Sequence, residues 1–418
     1  MALLIKNVVV VDPQSPLHGQ QLHLLIDRGK LMEASTNIPD QKTTYDAAGA
    51  FISAGWADGF ALFGTPGFEY RETMTTGTAA AAAGGYTDVC LLPNTLPVMD
   101  NRNAVEQLMH HNGPVRVHPL GAITKGAAGK ELAEMYDMAS GGAVGFSDGT
   151  EPVQQAGVLL KALEYLKAIN KVLVQRPDDR SIAPQGLMNE SSLSVQLGLA
   201  SRPPLAEELA VKRDLELARY TGGRLHLTGI STATSVQCIA AAKKSGVQVS
   251  CSVSPHHLFF DESSLEGYDS NFKLDPPLRS SEDTAALKAA VLDGTIDAVD
   301  SHHLPQHSDY KKVEFEYAKP GMISLQTAFA AVATAIPEVS AARLVELFTA
   351  ARRIFNLPPA TVAIGSVAQF TLFQMNSHWT FEKEHNRSLS HNSAYTGRRF
   401  TARPIGTITQ SGLHLGPA

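Results

Sequence analysis

The chain has 418 residues, of which 44% are hydrophobic and 18% charged, so it can form a large core and lacks the composition of a disordered protein. Its 35 Lys and Arg against 41 Asp and Glu give a formal net charge of −6, which argues against nucleic acid or an anionic membrane as the main partner. No apolar run reaches the roughly 20 residues of a membrane-spanning helix. Three cysteines without a Cys-x-x-Cys pair, and an N-terminus without signal-peptide order, predict a cytoplasmic protein with reduced thiols.

The two ends of the chain predict one small β domain. Residues 1–52 carry short β-like runs separated by turn residues, at 3–11, 21–26 and 29–34. Residues 351–418 close the chain with two further runs of this kind, at 368–373 and 403–408. We expect the two pieces to form a β-sandwich together.

The middle of the chain, residues 53–350, alternates β-like and helical stretches, which is typical of βα units. The predicted strands lie at 87–92, 115–122, 143–147, 172–175, 224–228, 247–253 and 298–301. The predicted helices lie at 73–84, 130–138, 155–170, 206–220, 235–244 and 282–292. Roughly seven or eight such units predict an α/β fold, a TIM-type (β/α)8 barrel whose catalytic groups follow the strands.

Six short motifs occur in order along this middle part. They are Gly77 to Gly85 with Tyr86-Thr87, Pro93-Asn94-Thr95-x-Pro97, Gly121 to Gly126, Gly145-Phe146-Ser147-Asp148, Pro255-His256-His257-Leu258 and Pro276-Pro277-Leu278-Arg279. Through them the chain resembles the dihydroorotase branch of the amidohydrolase superfamily over nearly its whole length. The resemblance implies the metal-dependent hydrolase fold, with a β domain built from both termini, and zinc-dependent hydrolysis of a cyclic amide in active members.

The first-strand motif of that family is Asp-x-His-x-His-x-Arg-x-Pro-Gly, and this chain keeps its frame without its ligands. Asp58 remains, and Pro66-Gly67 closes the motif. The two zinc-binding histidines are replaced by Phe60 and Leu62, and the arginine that holds a substrate carboxylate is replaced by Gly64. Neither apolar side chain has a lone pair to offer a metal.

Three further positions implied by the resemblance also differ. The third ligand histidine, after a middle strand, is Gln175. In the family's His-x-x-His-x-Ser-Thr motif His226 remains, but the metal-binding histidine is Gly229. The catalytic aspartate of Thr-Asp-His-Ala-Pro-His is His302, which cannot play a carboxylate's role unchanged.

The substrate-orienting positions are partly kept. Asn94 retains its role by resemblance, and His303 also stays. The asparagine of the family's Asn-Pro-Pro-Leu-Arg motif is Asp275, whose charge would repel a carboxylate substrate if it is ionised. Asp148 holds the acidic position at which family members supply a bridging ligand, although it could equally be a solvated loop acid or a helix cap.

These replacements predict a dry, collapsed site without a cofactor, where active relatives hold zinc. The weak candidates for an improvised metal site are Asp148, His302 and His303. The pair His256-His257 has a structural role by resemblance, and the run Asp178-Asp179-Arg180 is interpreted as a solvated charged stretch.

The leading hypothesis is therefore a dihydroorotase-like protein of pyrimidine biosynthesis without catalysis. By resemblance its partner would be aspartate carbamoyltransferase, and we expect a homo-oligomer. The alternative is an active dihydroorotase or related cyclic amidohydrolase whose metal site is rearranged around Asp148, His302, His303 and either His226 or His257. A third hypothesis is a sensor that binds a small intermediate in the emptied pocket without turnover.

Overall fold

The computed structural model describes residues 2–111 and 113–417. The strands of this part are β1 Leu3–Val10, β2 Gln21–Asp27, β3 Lys30–Ser35, β4 Thr43–Asp46, β5 Phe51–Ala54, β6 Trp56–Ala61, β7 Tyr86–Leu91, β8 Arg116–Gly121, β9 Gly145–Phe146, β10 Val172–Gln175, β11 Met188–Asn189, β12 Ser201–Arg202, β13 Arg224–Leu227, β14 Val249–Val253, β15 Ala298–Val299, β16 Phe370–Gln374, β17 Trp379–Thr380, β18 Arg399–Phe400, β19 Arg403–Thr409 and β20 Gly412–Leu415. The α-helices are α1 Met74–Ala83, α2 Arg102–Met109, α3 Met135–Ser140, α4 Ala156–Ala168, α5 Ser192–Leu197, α6 Leu205–Thr221, α7 Ala233–Lys244, α8 Pro255–Phe259, α9 Ser281–Asp293, α10 Ala328–Ala335 and α11 Ala341–Ile354.

Eight parallel strands form a barrel in the order β6-β7-β8-β9-β10-β13-β14-β15. The ring is nearly closed by a parallel bridge between Ala61, at the end of β6, and His303, which follows β15. Helices separate successive strands in sequence, as the alternating pattern predicted. The (β/α)8 prediction is confirmed, and the loops that follow the strands meet at one end, which we call the mouth.

Strands from both termini build a second, eight-stranded sheet. Its order is β20-β19-β16-β5-β1-β2-β3, with β4 beside β1. The joining pair is β5 and β16, which run antiparallel with Ile52 opposite Leu372. Apolar side chains of both ends, including Leu24, Ile52 and Phe370, share one core. The predicted β domain made from both termini is therefore present, and β5 leads through Gly55 directly into the barrel.

The helix predicted at 130–138 is confirmed only in its second part, because α3 begins at Met135 and residues 130–134 are not helical. The preceding backbone pairs with the loop after β8: Lys125 N donates to Glu131 O, and Ala133 N donates to Ile123 O, both at 2.9 Å. These bonds hold residues 131–133 extended, so tertiary pairing overrides the local helix propensity. Among the described residues, moreover, every helix is too short or too polar to cross a membrane.

Candidate functional site

Strand β6 and the residue that follows it bring three side chains to the inside of the barrel. Asp58 and Phe60 lie on β6 and Leu62 follows its last residue, and the pairing of β6 with β7 is irregular between Asp58 and Ala61. All three are buried. Phe60 and Leu62 form part of the wall of a cavity of about 550 Å³ at the mouth, whereas Asp58 lies below Phe60. The two replacements therefore separate the barrel interior from the cavity.

Below Phe60, two carboxylates anchor the strands. Asp58 accepts hydrogen bonds from Ser301 N at 2.6 Å and Ser301 Oγ at 2.9 Å. Asp300 accepts from Gly59 N at 3.1 Å through one oxygen, and from Ser252 Oγ at 2.5 Å and Thr228 Oγ1 at 3.1 Å through the other. His226, retained from the family motif, contacts the same oxygen of Asp300 through Nε2 at 3.3 Å.

The two carboxyl groups differ in acidity because the His226 ring contacts Asp300 and not Asp58. Burial, followed by the negative charge of Asp300, raises the pKa of Asp58 to about 7. Burial acts in the same direction on Asp300, but the hydrogen bond and charge of His226, with Ser252, outweigh it and hold the pKa of Asp300 below its ordinary value. At neutral pH Asp300 is therefore ionised, whereas Asp58 is close to the midpoint of its titration.

His302 fills the space in which a ligand at position 229 would lie. Its ring stacks on Phe60 with centroids 4.5 Å apart, and its Nε2 is 2.9 Å from Thr228 Oγ1. A Cβ added to Gly229 would come within 2.6 Å of His302 Cε1, and Gly229 also has φ +67°, which L side chains rarely adopt. Burial lowers the pKa of His302 to about 3, so the ring is neutral at pH 7.

The remaining ligand positions are occupied by local structure. Gln175 donates through Nε2 to Val153 O at 3.1 Å and accepts from Val153 N at 3.4 Å, so its amide braces a neighbouring loop. Asp148 accepts from the backbone of Ile123 and Thr124, both at 2.9 Å, and from Thr124 Oγ1 at 2.5 Å. Burial nevertheless raises the pKa of Asp148 to about 6.

The donor set does not fit a zinc ion. Phe60, Leu62 and Gly229 offer no donor atom, and the donors of Gln175 and Asp148 are committed to the backbone. Among the described residues, no three His, Cys, Asp or Glu side chains are grouped so that they could hold a metal. The candidates Asp148, His302 and His303 are therefore not brought together as a metal site.

His303 and the adjacent histidine pair have structural contacts. His303 Nδ1 accepts from Ser324 N at 3.1 Å, and its Nε2 lies 3.3 Å from Glu72, in the seam that closes the barrel. His256 Nδ1 is 3.2 Å from the Tyr395 hydroxyl, and His257 is held between Ser254 Oγ and Pro277 O. The structural role expected of His256 and His257 agrees with these contacts.

Asn94 and Asp275 do reach the mouth cavity. The Asn94 amide, however, donates to Asp148 O at 3.0 Å and accepts from Thr150 N at 3.1 Å, so both ends brace the loop after β9. Asp275 Oδ1 accepts from Arg176 at 2.8 Å and from Arg202 at 2.7 Å. Burial works to raise the pKa of Asp275, but the neighbouring arginines outweigh it and hold the carboxyl ionised, with its charge compensated.

The interpretation of Asp178-Asp179-Arg180 as a solvated stretch is wrong for Asp178, which is buried. Its Oδ2 lies 3.4 Å from Arg202 and 3.7 Å from Arg180. Arg180 also pairs with Glu151 at 2.5 Å across the cavity wall. The run therefore reaches the site through Arg180, which lines the cavity and contacts Asp178.

The sequence analysis did not identify the cations that line the cavity, which are Arg71, Arg176, Arg180 and Lys319. Arg176 directly follows Gln175 at the end of β10, so its place after a barrel strand was an available indication. Arg71 and Lys319 lie on loops with no comparable pattern. The expectation of a collapsed site also needs correction: the interior is filled at Phe60 and His302, but an open, charged cavity remains above them.

The arrangement separates acid–base groups from the space that a ligand can enter. Asp58, whose pKa of about 7 would suit a general base, is sealed below Phe60. His302 is a weak base, since its pKa is about 3, and it is buried by the same ring. The cavity itself offers arginine and lysine cations, amides, an apolar floor and the carboxylates of Glu151 and Asp275, both of which are ion-paired with arginine.

Comparisons with known proteins agree with this architecture. A profile described as Dihydro-orotase-like matches residues 58–235. Relatives named Dihydroorotase include one from Geotalea daltonii, 37% identical over 98% of both chains, and one from Syntrophus aciditrophicus, 35% identical over 98% of both chains. Among solved structures, the L-hydantoinase of Arthrobacter aurescens has a TM-score of 0.87 at 22% identity and covers 98% of this chain and 95% of its own. A dihydropyrimidinase from Brevibacillus agri reaches 0.83 at 19% identity, covering 99% and 95%.

Proposed function

This chain belongs to the dihydroorotase-like family of the amidohydrolase superfamily, and within that family we propose that it binds rather than hydrolyses. In this proposal it is a non-catalytic member that supports pyrimidine biosynthesis. The family's chemistry depends on a metal-activated water, which requires nitrogen or oxygen ligands at fixed positions.

The observation that carries the proposal is the pair Gly229 and His302. Gly229 stands where the family has a metal-binding histidine, and His302 stands where it has the catalytic aspartate. The ring of His302 occupies the space that a side chain at position 229 would need. A metal-binding side chain at 229 and the present His302 exclude each other. Phe60, stacked on His302, seals the same space from the mouth.

The test measures zinc content by plasma mass spectrometry and dihydroorotate hydrolysis on one sample of untagged protein. The control is the Geotalea daltonii relative, purified and assayed in parallel. We expect less than about 0.1 equivalents of zinc and no turnover for this chain, because structural and catalytic zinc remain bound only where the ligand set is complete. One equivalent of zinc together with turnover contradicts the proposal.

A second candidate is an active dihydroorotase or related cyclic amidohydrolase, and the names of the relatives at 35–37% identity favour it. It requires Asp148, His302 and His303 to move together from their present partners. His302→Ala distinguishes the two candidates, since it should abolish turnover only if the rearranged site exists.

The partner is also a proposal. By the resemblance stated above, a non-catalytic member would assemble, as a homo-oligomer in the cytoplasm, with aspartate carbamoyltransferase. Size-exclusion chromatography with light scattering, on the chain alone and mixed with that enzyme from the same organism, tests both points. Independent elution of the two proteins contradicts the assembly.

A further inference from the structure

A second cavity lies on the helix side of the barrel wall, and we call it the side cavity. Its volume is about 250 Å³, and it is bounded by α2, the start of α1 and the ends of β6 and β7. Its wall residues Phe63 and Leu91 belong to the core that the barrel strands share with the helices, whereas Phe60 and Leu62 belong to a separate core cluster. Among the described residues, only Thr95 lines both the side cavity and the mouth cavity.

The segment 93–97 forms a partition between the two cavities. The Thr95 hydroxyl donates to Pro97 O at 2.8 Å, and the Asn94 amide donates to Asp148 O at 3.0 Å. These bonds hold the partition in place from within the chain. The side cavity is therefore a space of its own rather than an arm of the mouth.

Helix α2 does not fill the space beneath it with side chains. An amphipathic helix normally buries its apolar face against the core. Among the residues of α2, all of which the structure describes, only Val105 is buried, while Ala104 and Leu108 are half-buried and line the side cavity. Helix α4, by contrast, buries four apolar side chains. The side cavity is thus unfilled space between α2 and β7 that the chain lines with apolar groups.

The lining of the side cavity carries no formal charge. Its floor consists of apolar side chains that are almost completely buried, among them Phe63, Leu91 and Met99. Lysine, arginine, aspartate and glutamate are absent from the described residues that line it. Because an ion would lose its hydration there without gaining a partner, the side cavity excludes charged molecules.

Polar groups occur at one edge of the side cavity. Gln107 and His110 are exposed and mark its entrance, and His111 follows them along the chain. Burial lowers the pKa of His111, so its ring is uncharged at neutral pH. The exposed amide of Gln107 offers a ligand both a donor and an acceptor without charge.

The size of the side cavity limits its occupant. A cavity of about 150 Å³ lined by leucine, isoleucine and phenylalanine accommodates benzene. The side cavity, at about 250 Å³, therefore has room for two fused rings. Met74 and Met99 in its wall are flexible and can adjust to the shape of such a ring system.

We propose that the side cavity is a binding site for a small uncharged aromatic molecule with a hydrogen-bonding group at one edge. The ring system packs against Phe63, Leu91 and Met99, and its polar edge faces Gln107. The site goes beyond the proposed function and does not depend on it, because its lining includes none of the positions that hold metal in active relatives.

Isothermal titration calorimetry of the full chain with indole tests the proposal, and indole-3-carboxylate supplies the same rings with a negative charge. We expect indole to bind with a dissociation constant of about 0.5 mM, and indole-3-carboxylate to bind about tenfold more weakly or worse. Leu108→Trp places a large side chain in the side cavity and should weaken indole binding by about tenfold or more. Leu209→Trp, at an exposed position of α6, and Lys319→Gln, in the mouth cavity, are the controls and should bind indole like the unaltered protein.

The outcomes separate this inference from the proposed function. No heat of binding with indole up to about 10 mM, or unchanged affinity in Leu108→Trp, overturns the site. Equal affinity for indole and indole-3-carboxylate overturns the uncharged class of ligand. Loss of indole binding in Lys319→Gln would place the ligand in the mouth cavity and would also overturn the site. Zinc retention with dihydroorotate turnover overturns the proposed function and leaves this site standing.

A smaller substitution keeps the test decisive if Leu108→Trp fails to fold. Ala104→Met lies one helical turn before Leu108 on the same face of α2 and fills only part of the side cavity. It should weaken indole binding about threefold, and unchanged affinity in this variant would overturn the site.

Discussion

Two buried carboxylates of the barrel, Asp88 and Asp58, lie in opposite electrostatic environments. Asp88, on β7, is met by Arg116 at 2.9 Å, His118 at 2.8 Å and Arg352 at 2.5 Å, and these partners outweigh burial and hold its pKa far below the ordinary value. Asp58 receives only neutral donors and faces Asp300, so its pKa rises to about 7. In the first cluster the charge of Asp88 is compensated by side chains of β8 and α11, which ties these elements to β7. In the second cluster two carboxyl groups face each other, and their side-chain and backbone donors are serine, threonine and glycine groups with His226 at 3.3 Å from Asp300.

The largest expected effect on stability comes from disrupting the ion pairs around Asp88. Arg352→Met removes the cation of α11 from Asp88 and its bonds to Gly55 O and Pro358 O, leaving a buried carboxylate underpaired. We expect the free energy of unfolding to fall by about 4 kcal/mol in urea titrations. Arg353→Met, the exposed neighbour, is the control and should change it by less than about 0.5 kcal/mol. Similar losses of unfolding free energy in the two variants would mean that the Asp88 cluster makes no special contribution to stability.

Removing the Phe60 ring, which separates Asp58 and Asp300 from the mouth cavity, should have the next largest effect on stability. Phe60→Ala leaves a cavity against His302 and opens the interior to the mouth. We expect a loss of about 3 kcal/mol in the free energy of unfolding. Tyr220→Ala, an exposed aromatic on α6, should cost far less. A loss below about 1 kcal/mol for Phe60→Ala would show that the interior is already loosely packed.

The acidity of Asp58 predicts a pH dependence of stability. Its pKa in the folded protein is about 7, above the ordinary 3.8, so the folded state binds the extra proton between these values and stability falls as pH rises through them. Asp58→Asn should remove on the order of 2 kcal/mol of this decline between pH 5 and pH 8. Asp309→Asn, at an exposed position, serves as the control. Parallel curves for Asp58→Asn and the unaltered protein would contradict the raised pKa.

The smallest predicted effect isolates the contact between position 229 and His302. Gly229 and Gly198 both have φ +67°, but a Cβ at Gly198 meets nothing within 4 Å. Gly198→Ala therefore measures backbone strain alone, and Gly229→Ala should cost about 1 kcal/mol more in the free energy of unfolding. In a His302→Ala background that excess should disappear. An excess that persists would place the clash elsewhere.

The fold was predictable because βα alternation and the β-like termini are local patterns that the barrel and the second sheet preserve. The start of helix α3 was misplaced because backbone pairing with the loop after β8 is a tertiary effect. The replaced ligand positions were predictable from motif spacing, since Asp58, Phe60 and Leu62 occupy alternate positions of one motif. The cations of the mouth cavity were not predictable, because Arg71 and Lys319 are distant in sequence and only the folded loops bring both to Tyr310.

The shared space of Gly229 and His302 also bears on the reversibility of this divergence. Any larger residue introduced at 229 first meets the His302 ring, and an aspartate restored at 302 first leaves a void opposite a glycine. A single substitution at either position therefore carries a packing cost, a clash at 229 or a void at 302. If the proposed non-catalytic role is correct, a larger side chain at 229 would fit only together with a change at 302.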